Sequence, residues 1–185
     1  MPRIAPVSIE NAPPASKPMM TEIHKQLGGI PNLVGTLANS PAALATWVFT
    51  NQALSAGSLE RSTREQVSIA VAGMSGCDYC ASAHTTIAGL SGVDTEETAR
   101  NLCGESNDPF LQACIEFALA IVEKRGRLDE TDVTAAREAG MTDENMLEIL
   151  AITTTNLFTN YANHFIQTTN DFPKVEILDC KAITT

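Results

Sequence analysis

No stretch of this chain alternates apolar and polar residues over more than four positions, which is the pattern that a half-buried β-strand requires. Apolar residues instead recur at helical spacing, as they do at Phe110, Cys114, Phe117 and Ile121. Aromatic residues make up only 5% of the sequence, a composition that favours closely packed helices over an aromatic-rich β-sandwich. The sequence therefore predicts an all-α fold, a single-domain helical bundle.

Start and stop signals divide the chain into helical segments. Ser40-Pro41 combines an N-cap with a first-turn proline and predicts a helix to about Ala56. The run 62–65 has the pattern of a capping box and opens the next helix, which Ser75-Gly76 ends. Further helices are predicted over 19–27, from Asp78 to about Leu90, from the cap at 94–97 to Gly104, from 107–109 to Gly126, over 131–139, and from Thr142 to about Thr169.

The chain divides into three parts. Five prolines within residues 1–18 predict an extended arm without helix, which is either loose or laid across a neighbouring subunit. Residues 19–173 form the helical domain, and residues 174–185 are a C-terminal tail. A length of 185 residues suits one domain with a well-filled core.

The formal net charge of −10 excludes several classes of partner. Nucleic acid and anionic membrane surfaces attract clustered Lys and Arg, and the chain has no such cluster. No apolar run approaches the roughly 20 residues that span a bilayer. Residues 1–18 contain no continuous hydrophobic stretch, so a secretory signal is not expected there. We expect a cytoplasmic protein with no nucleic-acid or membrane partner.

The chain has five cysteines, and their odd number does not predict a disulfide framework in the cytoplasm. Cys77 and Cys80 lie three positions apart, a spacing that points to redox chemistry or to a metal. Cys114 falls on the apolar stripe of its helix and is interpreted as core. Cys103 and Cys180 have no partner at an informative spacing.

Cys77, Cys80 and His84 are spaced i, i+3 and i+7, so on one helix they share a face. Cys77 would be the N-cap and Cys80 would lie in the first turn, where free N–H groups and the helix dipole stabilise a thiolate. His84 is one turn beyond Cys80, within reach as a proton acceptor or donor. Five cysteines give a CxxC pair about 0.1 times by chance, and a histidine four residues later reduces this to roughly 0.002.

Glu65 is the fourth candidate in this site. It precedes Cys77 by twelve residues, about 18 Å along a straight helix, but a reversal at Ser75-Gly76 would bring the two helices side by side. Its carboxylate would then meet His84 and fix the imidazole tautomer. The alternative is that Glu65 is the N3 residue of the capping box at 62–65. The pattern leaves both interpretations open.

The order Glu65, eleven intervening residues, CxxC and His84 resembles the catalytic signature of the alkylhydroperoxidase D-like branch of the carboxymuconolactone decarboxylase family. The stretches 132–140 and 163–173 are similar to its peroxidase-related members, and the resemblance covers about Pro31 to Pro173. It implies an all-α fold of the alkylhydroperoxidase D-like type, assembled as a homotrimer or homohexamer. It also implies a peroxiredoxin-type enzyme, a thiol-dependent peroxidase or disulfide reductase without cofactor or metal.

By this resemblance, Cys80 is the thiol that attacks a hydroperoxide, Cys77 is the resolving thiol, and an external dithiol of thioredoxin-like or lipoyl type is the reductant. His84, supported by Glu65, would deprotonate Cys80. Some family members carry a histidine where this chain has Tyr79, which relays a proton only weakly because its free pKa is about 10. His164 is a possible pocket residue, or else a histidine satisfied at a subunit contact. His24 is interpreted as a surface residue.

Three other functions compete with the redox interpretation. The four site residues have suitable atoms for tetrahedral zinc, although no second ligand pair exists in the sequence. Non-redox lactone or decarboxylation chemistry occurs in other branches of the resembled family. A non-catalytic assembly module would use the fold only for contacts. The redox interpretation requires that solvent reaches the two sulfurs and that they can form a disulfide with each other.

Overall fold

The computed structural model describes residues 1–177. Within that range the structure contains α-helices and no β-strand, which confirms the predicted all-α fold. In chain order the helices are α1 (Lys17–Leu27), α2 (Asn32–Leu37), α3 (Pro41–Ser55), α4 (Arg61–Ser75), α5 (Asp78–Leu90), α6 (Thr95–Leu102), α7 (Pro109–Glu123), α8 (Glu130–Glu138) and α9 (Asp143–Ile166).

Helix α4 lies at the centre of the bundle and packs against α5, α6, α7 and α9. Val67, Ile69 and Val71 have no solvent exposure because apolar side chains of α4 face neighbours on several sides. A Cβ on Gly73 would lie 2.1 Å from the Leu102 carbonyl oxygen, so the absence of a side chain there lets α6 approach closely. The centre of the fold is thus the helix that immediately precedes the thiol pair.

Most of the predicted helix ends are confirmed. The side chains of Ser40, Asp94 and Thr142 cap α3, α6 and α9, as their sequence patterns predict. The predicted capping box at 62–65 is wrong, because α4 already begins at Arg61 and its N-cap, Glu60, makes no side-chain cap. Helix α9 ends at Ile166, three residues before the predicted end, since Gln167 adopts a left-handed conformation with φ of 57°.

The N-terminal arm packs on its own chain and is not loose. Val7 N donates to the Gly35 carbonyl at 3.0 Å, and Ser16 Oγ donates to the Ala38 carbonyl at 2.8 Å. The predicted absence of helix up to residue 18 is wrong at its end, since α1 begins at Lys17. A proline fits the first turn of a helix because the N–H it lacks has no partner there. Helix α2 was not predicted.

The C-terminal segment 170–177 folds back over α5. Asn170 Nδ2 and Val175 N both donate to Ser82 Oγ, at 2.9 and 3.1 Å. Phe172, Val175 and Ile177 pack against the core that contains the thiol pair. Cys180 lies outside the described residues. Among residues 1–177, no helix combines the length and the hydropathy that crossing a membrane requires.

Candidate active site

The turn between α4 and α5 places the thiol pair. Gly76 ends α4 in the left-handed conformation, with φ of 66°. Cys77 N then donates to the Ala72 carbonyl at 3.0 Å, which ties the first residue of the site to the last turn of α4. The chain reverses at this point and α5 packs along α4, as the Ser75-Gly76 break predicts.

Cys77 is the N-cap of α5, as predicted. Its Sγ accepts a hydrogen bond from the backbone N of Cys80 at 3.4 Å, so the first turn of the helix brings the two cysteines together. Both are free thiols. Both are also buried, with exposed fractions of 1% for Cys77 and 3% for Cys80. The expectation that solvent reaches the sulfurs is therefore not met by this single chain, although the two side chains are in contact.

The two thiols have very different acidities. The Cys80 S–H donates to the Cys77 sulfur and is the largest cause that lowers the pKa of Cys77 to about 7, against the opposing effect of burial. The Cys80 backbone N–H, the charge of His164 and the Asn163 amide lower it further. The pKa of Cys80 is raised, first by its hydrogen bond to Cys77 and then by burial and the Cys77 charge. Ionisation of the reduced pair near pH 7 therefore leaves one proton on Cys80 and one negative charge on Cys77.

His84 and Glu65 meet across α4 and α5. The His84 Nδ1 atom lies 2.7 Å from Glu65 Oε2, and the two side chains are 23% and 16% exposed. This confirms the predicted contact, and the alternative role of Glu65 in a capping box is wrong. An ionised carboxylate accepts the Nδ1–H, so neutral His84 carries its free lone pair on Nε2. The arrangement leaves one imidazole nitrogen able to take a proton.

Helix α9 contributes two adjacent residues to the sulfur pair. Asn163 Nδ2 donates to Cys80 Sγ at 3.2 Å, and His164 Nε2 lies 3.3 Å from the Gly76 carbonyl oxygen. His164 is exposed, and its position beside Gly76 explains why its charge acts on the pKa of Cys77. Sequence reasoning singled out His164 and noted Asn163 only as one of the polar residues beside it that could line a pocket. The recurrence of buried polar residues at 153, 156, 160 and 163 was the signal that could have revealed it.

Tyr79 faces a different set of neighbours. Its hydroxyl accepts from Leu33 N at 3.2 Å and donates to Asp171, and its ring meets Phe172 edge to face with centroids 5.6 Å apart. Burial raises the pKa of this phenol further above its usual value. These contacts anchor α5 to α2 and to the C-terminal segment, so they favour a structural role for Tyr79 over a proton relay.

The remaining candidates lie apart from the site. Among residues 1–177, no group of three or more His, Cys, Asp and Glu side chains has the arrangement of a metal site, which counts against the zinc alternative. Cys114 is fully buried beside Met141, as its apolar position predicts. His24 is exposed, also as predicted.

Part of this chain matches a known protein family. Residues 41–102, which contain Glu65, Cys77, Cys80 and His84, match the Carboxymuconolactone decarboxylase family. The fold superposes with a TM-score of 0.84 on an alkylhydroperoxidase AhpD core structure, an uncharacterized peroxidase-related protein from Ralstonia eutropha JMP134. That pair shares 24% identity, and the match covers 92% of each chain. Residues 41–102 thus resemble this family, and the chain has the alkylhydroperoxidase D-like fold.

Two further solved structures share this alkylhydroperoxidase D-like fold. One is a peroxidase-related protein from Silicibacter sp. TM1040, with a TM-score of 0.75, 20% identity and 87% of each chain covered. The other is the debrominase Bmp8, solved as a cysteine variant in complex with 2,3,4-tribromopyrrole, with a TM-score of 0.75 and 19% identity over 98% of this chain and 95% of that one. At these identities the structures establish the fold and not the activity. No curated protein matches this chain.

Proposed function

We propose that this chain is a thiol-dependent oxidoreductase that reduces hydroperoxides through Cys77 and Cys80. The observation that carries the proposal is the first turn of α5, where Cys80 N donates to Cys77 Sγ at 3.4 Å, on the same helix as an imidazole whose Nδ1 lies 2.7 Å from the Glu65 carboxylate. A thiolate is the nucleophile of such reactions, and an adjacent base supplies the proton transfers. The superfamily contains enzymes, and the peroxidase-related members make hydroperoxides the first substrate class to test.

The proposed reaction begins from the pair with both thiols protonated: His84 Nε2 accepts the proton of Cys77, and Glu65 stabilises the imidazolium that forms. The proton that remains moves from Cys80 to Cys77 along their hydrogen bond, which leaves the thiolate on Cys80. Cys80 Sγ bonds to one peroxide oxygen, the O–O bond breaks, and the departing alkoxide takes the proton from His84. Cys80 is then a sulfenic acid.

The second half of the reaction closes the disulfide. The Cys77 sulfur attacks the Cys80 sulfenic sulfur, and the hydroxyl leaves as water with the Cys77 proton. The peroxide is reduced to alcohol, and the two thiols are oxidised. An external dithiol, thioredoxin-like or lipoyl in type, then restores both thiols and becomes a disulfide itself.

The assignment of attack to Cys80 comes from the family resemblance, whereas the pKa directions put the resting charge on Cys77. The shared proton reconciles the two, because one transfer within an existing hydrogen bond converts the resting pair into the attacking one. We also propose a cytoplasmic homotrimer or homohexamer. Its support is an outward stripe of exposed apolar residues on α9: Leu147, Leu150, Tyr161 and Phe165.

The test is consumption of hydrogen peroxide and of an alkyl hydroperoxide by the purified protein with a dithiol reductant. Activity that needs the dithiol and vanishes in Cys77→Ser and in Cys80→Ser is the expected result. Mass spectrometry after limited oxidation should find a sulfenic acid on Cys80 in Cys77→Ser. Trapping it on Cys77 in Cys80→Ser, and not on Cys80, would reverse the two roles.

A non-redox carboxymuconolactone decarboxylase-like reaction is the second candidate, because the family match covers the site itself. In that case replacement of both cysteines leaves turnover of a lactone substrate intact and the protein consumes no peroxide with any reductant. The debrominase of the same fold adds a brominated pyrrole to the substrates worth assaying with the dithiol.

A further inference from the structure

The sulfur of Cys80 lies against a helix that is distant in sequence. Asn163 Nδ2 of α9 is 3.2 Å from Cys80 Sγ, and the hydroxyl of Thr159, one turn earlier, also lowers the pKa of that thiol. Asn163 and Thr159 are each only 5% exposed. Helix α9 therefore presents two polar groups to a sulfur that is otherwise shielded from water.

One polar atom of the Asn163 side chain has no hydrogen-bond partner. Its Oδ1 is buried and has no hydrogen-bond partner among residues 1–177, although buried amide oxygens nearly always accept a hydrogen bond. Asn156, two turns earlier on the same buried face, donates instead to Ser68 Oγ and to the Ile152 carbonyl. The Nδ2 of Asn163 thus donates to the sulfur while its Oδ1 is left without a hydrogen bond. Packing alone gives no reason for an amide at this position.

We propose that Asn163 is a positioning residue that stabilises negative charge on Cys80 Sγ by donating its Nδ2–H. The inference rests on the proposed function, since it concerns the thiolate that Cys80 bears after the shared proton has moved to Cys77. The Asn163 amide also lowers the pKa of Cys77, but the Cys80 S–H and backbone N–H act there as well, so loss of the amide should disfavour a charge on Cys80 more than one on Cys77. Asn163 therefore makes it easier for the proton to move from Cys80 to Cys77.

Cys77 and Tyr79 on α5 interact electrostatically with Cys80, and His164 on α9 acts on Cys77. His84 lies one turn beyond Cys80 on α5, and Glu65 on α4 contacts it. Cys77 is the strongest of them, because its hydrogen bond and its charge both raise the pKa of Cys80. A test of Asn163 is therefore cleanest in Cys77→Ser, in which that charge is absent. Asn163 is then the principal donor facing the remaining sulfur.

The experiment measures the rate of alkylation of Cys80 by iodoacetamide against pH in Cys77→Ser, read by peptide mass spectrometry. Adding Asn163→Ala should raise the pH midpoint and slow alkylation at pH 7 about tenfold, which is the loss of thiolate for one pKa unit. The matched control is Asn156→Ala, which removes a second amide from the same face of α9 and should leave the midpoint unchanged. Equal midpoints in Asn163→Ala and its parent would overturn the proposal.

Asn163→Asp provides a second variant of nearly the same size in case the smaller side chain disturbs folding. Its carboxylate repels a thiolate, so the midpoint should rise further than in Asn163→Ala, while the circular dichroism spectrum stays that of the parent. A midpoint that falls or stays constant contradicts the assignment. Because these readouts need no peroxide, loss of the proposed function and loss of this inference are separate outcomes.

Discussion

At the residue scale, the proton shared by Cys77 and Cys80 decides the reactivity of the site. A thiol at a helix N-terminus is already favoured as a thiolate, and the Cys80 S–H adds a donor aimed at it. Burial opposes both effects and makes a second ionisation unfavourable. The pair therefore releases one proton near neutral pH, and the pKa directions place the resulting charge on Cys77.

The first prediction concerns the resting charge. In the wild-type protein, Cys77 should be alkylated by iodoacetamide with a pH midpoint of about 7, because its pKa is lowered to that value. The thiolate is present above this midpoint and disappears as pH falls through it. Cys80→Ala removes the S–H donor and should move the midpoint of Cys77 upward. Peptide mass spectrometry reports each cysteine separately.

Cys114 serves as the internal control for that measurement. Burial, with the charge of Asp108, raises its pKa to about 11, so it should stay unmodified throughout the titration. Modification of Cys114 at the same pH as Cys77 would show that the reagent reports unfolding. Preferential labelling of Cys80 in the wild type would contradict the charge assignment.

The second prediction concerns Glu65. Replacing it with Gln keeps a side chain of similar shape beside His84 but removes the charge that stabilises the imidazolium. Peroxide turnover should fall on the order of tenfold or more, within the range of general acid–base effects. Glu148→Gln is the matched control, since that carboxylate caps Ser58 and Leu59 and touches no site residue. Equal turnover in both variants would remove His84 from the mechanism.

At this scale, the relative positions of the site residues could be predicted better than the residues that surround them. Spacing along one helix places Cys77, Cys80 and His84 correctly, because side-chain positions three, four and seven residues apart follow from helix geometry. Their burial could not be predicted, since it depends on α9, whose contact with Cys80 spans 83 positions in the sequence. Periodicity gives the faces of a helix but not the identity of its neighbour.

At the element scale, the α4–α5 junction sets the direction of the redox helix. Gly76 has φ of 66°, a region that costs other residues roughly 1–2 kcal/mol. Its neighbour Cys77 must then leave the helix in an extended conformation to cap α5. Sequence reasoning identified this break correctly because glycine at a helix end has few other uses. It misplaced the start of α4, where Glu60 offers no capping side chain to recognise.

The third prediction follows from that junction. Gly76→Ala should lower the free energy of unfolding by about 1 kcal/mol, since a Cβ there meets no neighbour and only the backbone is strained. Gly89→Ala in the last turn of α5 is the matched control and should raise stability by about 0.5 kcal/mol, because alanine favours helix. Urea denaturation measures both. Equal effects of the same sign would disprove the conformational argument.

At the scale of the whole molecule, the N-terminal arm and the segment 170–177 both pack on the outside of the helical bundle. The arm joins α2, and the segment 170–177 fastens α5 through Ser82 and Tyr79. A proline-rich sequence predicts an extended path but contains no information on the surface that receives it. The outward stripe on α9 differs from the arm. Its apolar residues are visible in the sequence, but only the three-dimensional structure shows that no other part of the described chain covers them.

The fourth prediction tests that stripe. Leu147 is 66% exposed on α9, and Leu147→Asp should shift the proposed trimer or hexamer toward monomer in sedimentation velocity, because a charge is costly in an apolar interface. Leu90→Asp is the control, since Leu90 is 80% exposed at the end of α5, outside the stripe. A wild-type chain that sediments as a monomer would disprove the proposed assembly.

The depth of the sulfurs imposes unequal demands on the two halves of the cycle. In the proposed reaction a hydroperoxide is a small substrate, whereas a lipoyl arm or a protein dithiol must bring a far bulkier group to the same buried sulfurs. The proposed attack on the disulfide therefore requires the first turn of α5 to move away from α9. We expect reduction of the disulfide to be the slower half of the cycle.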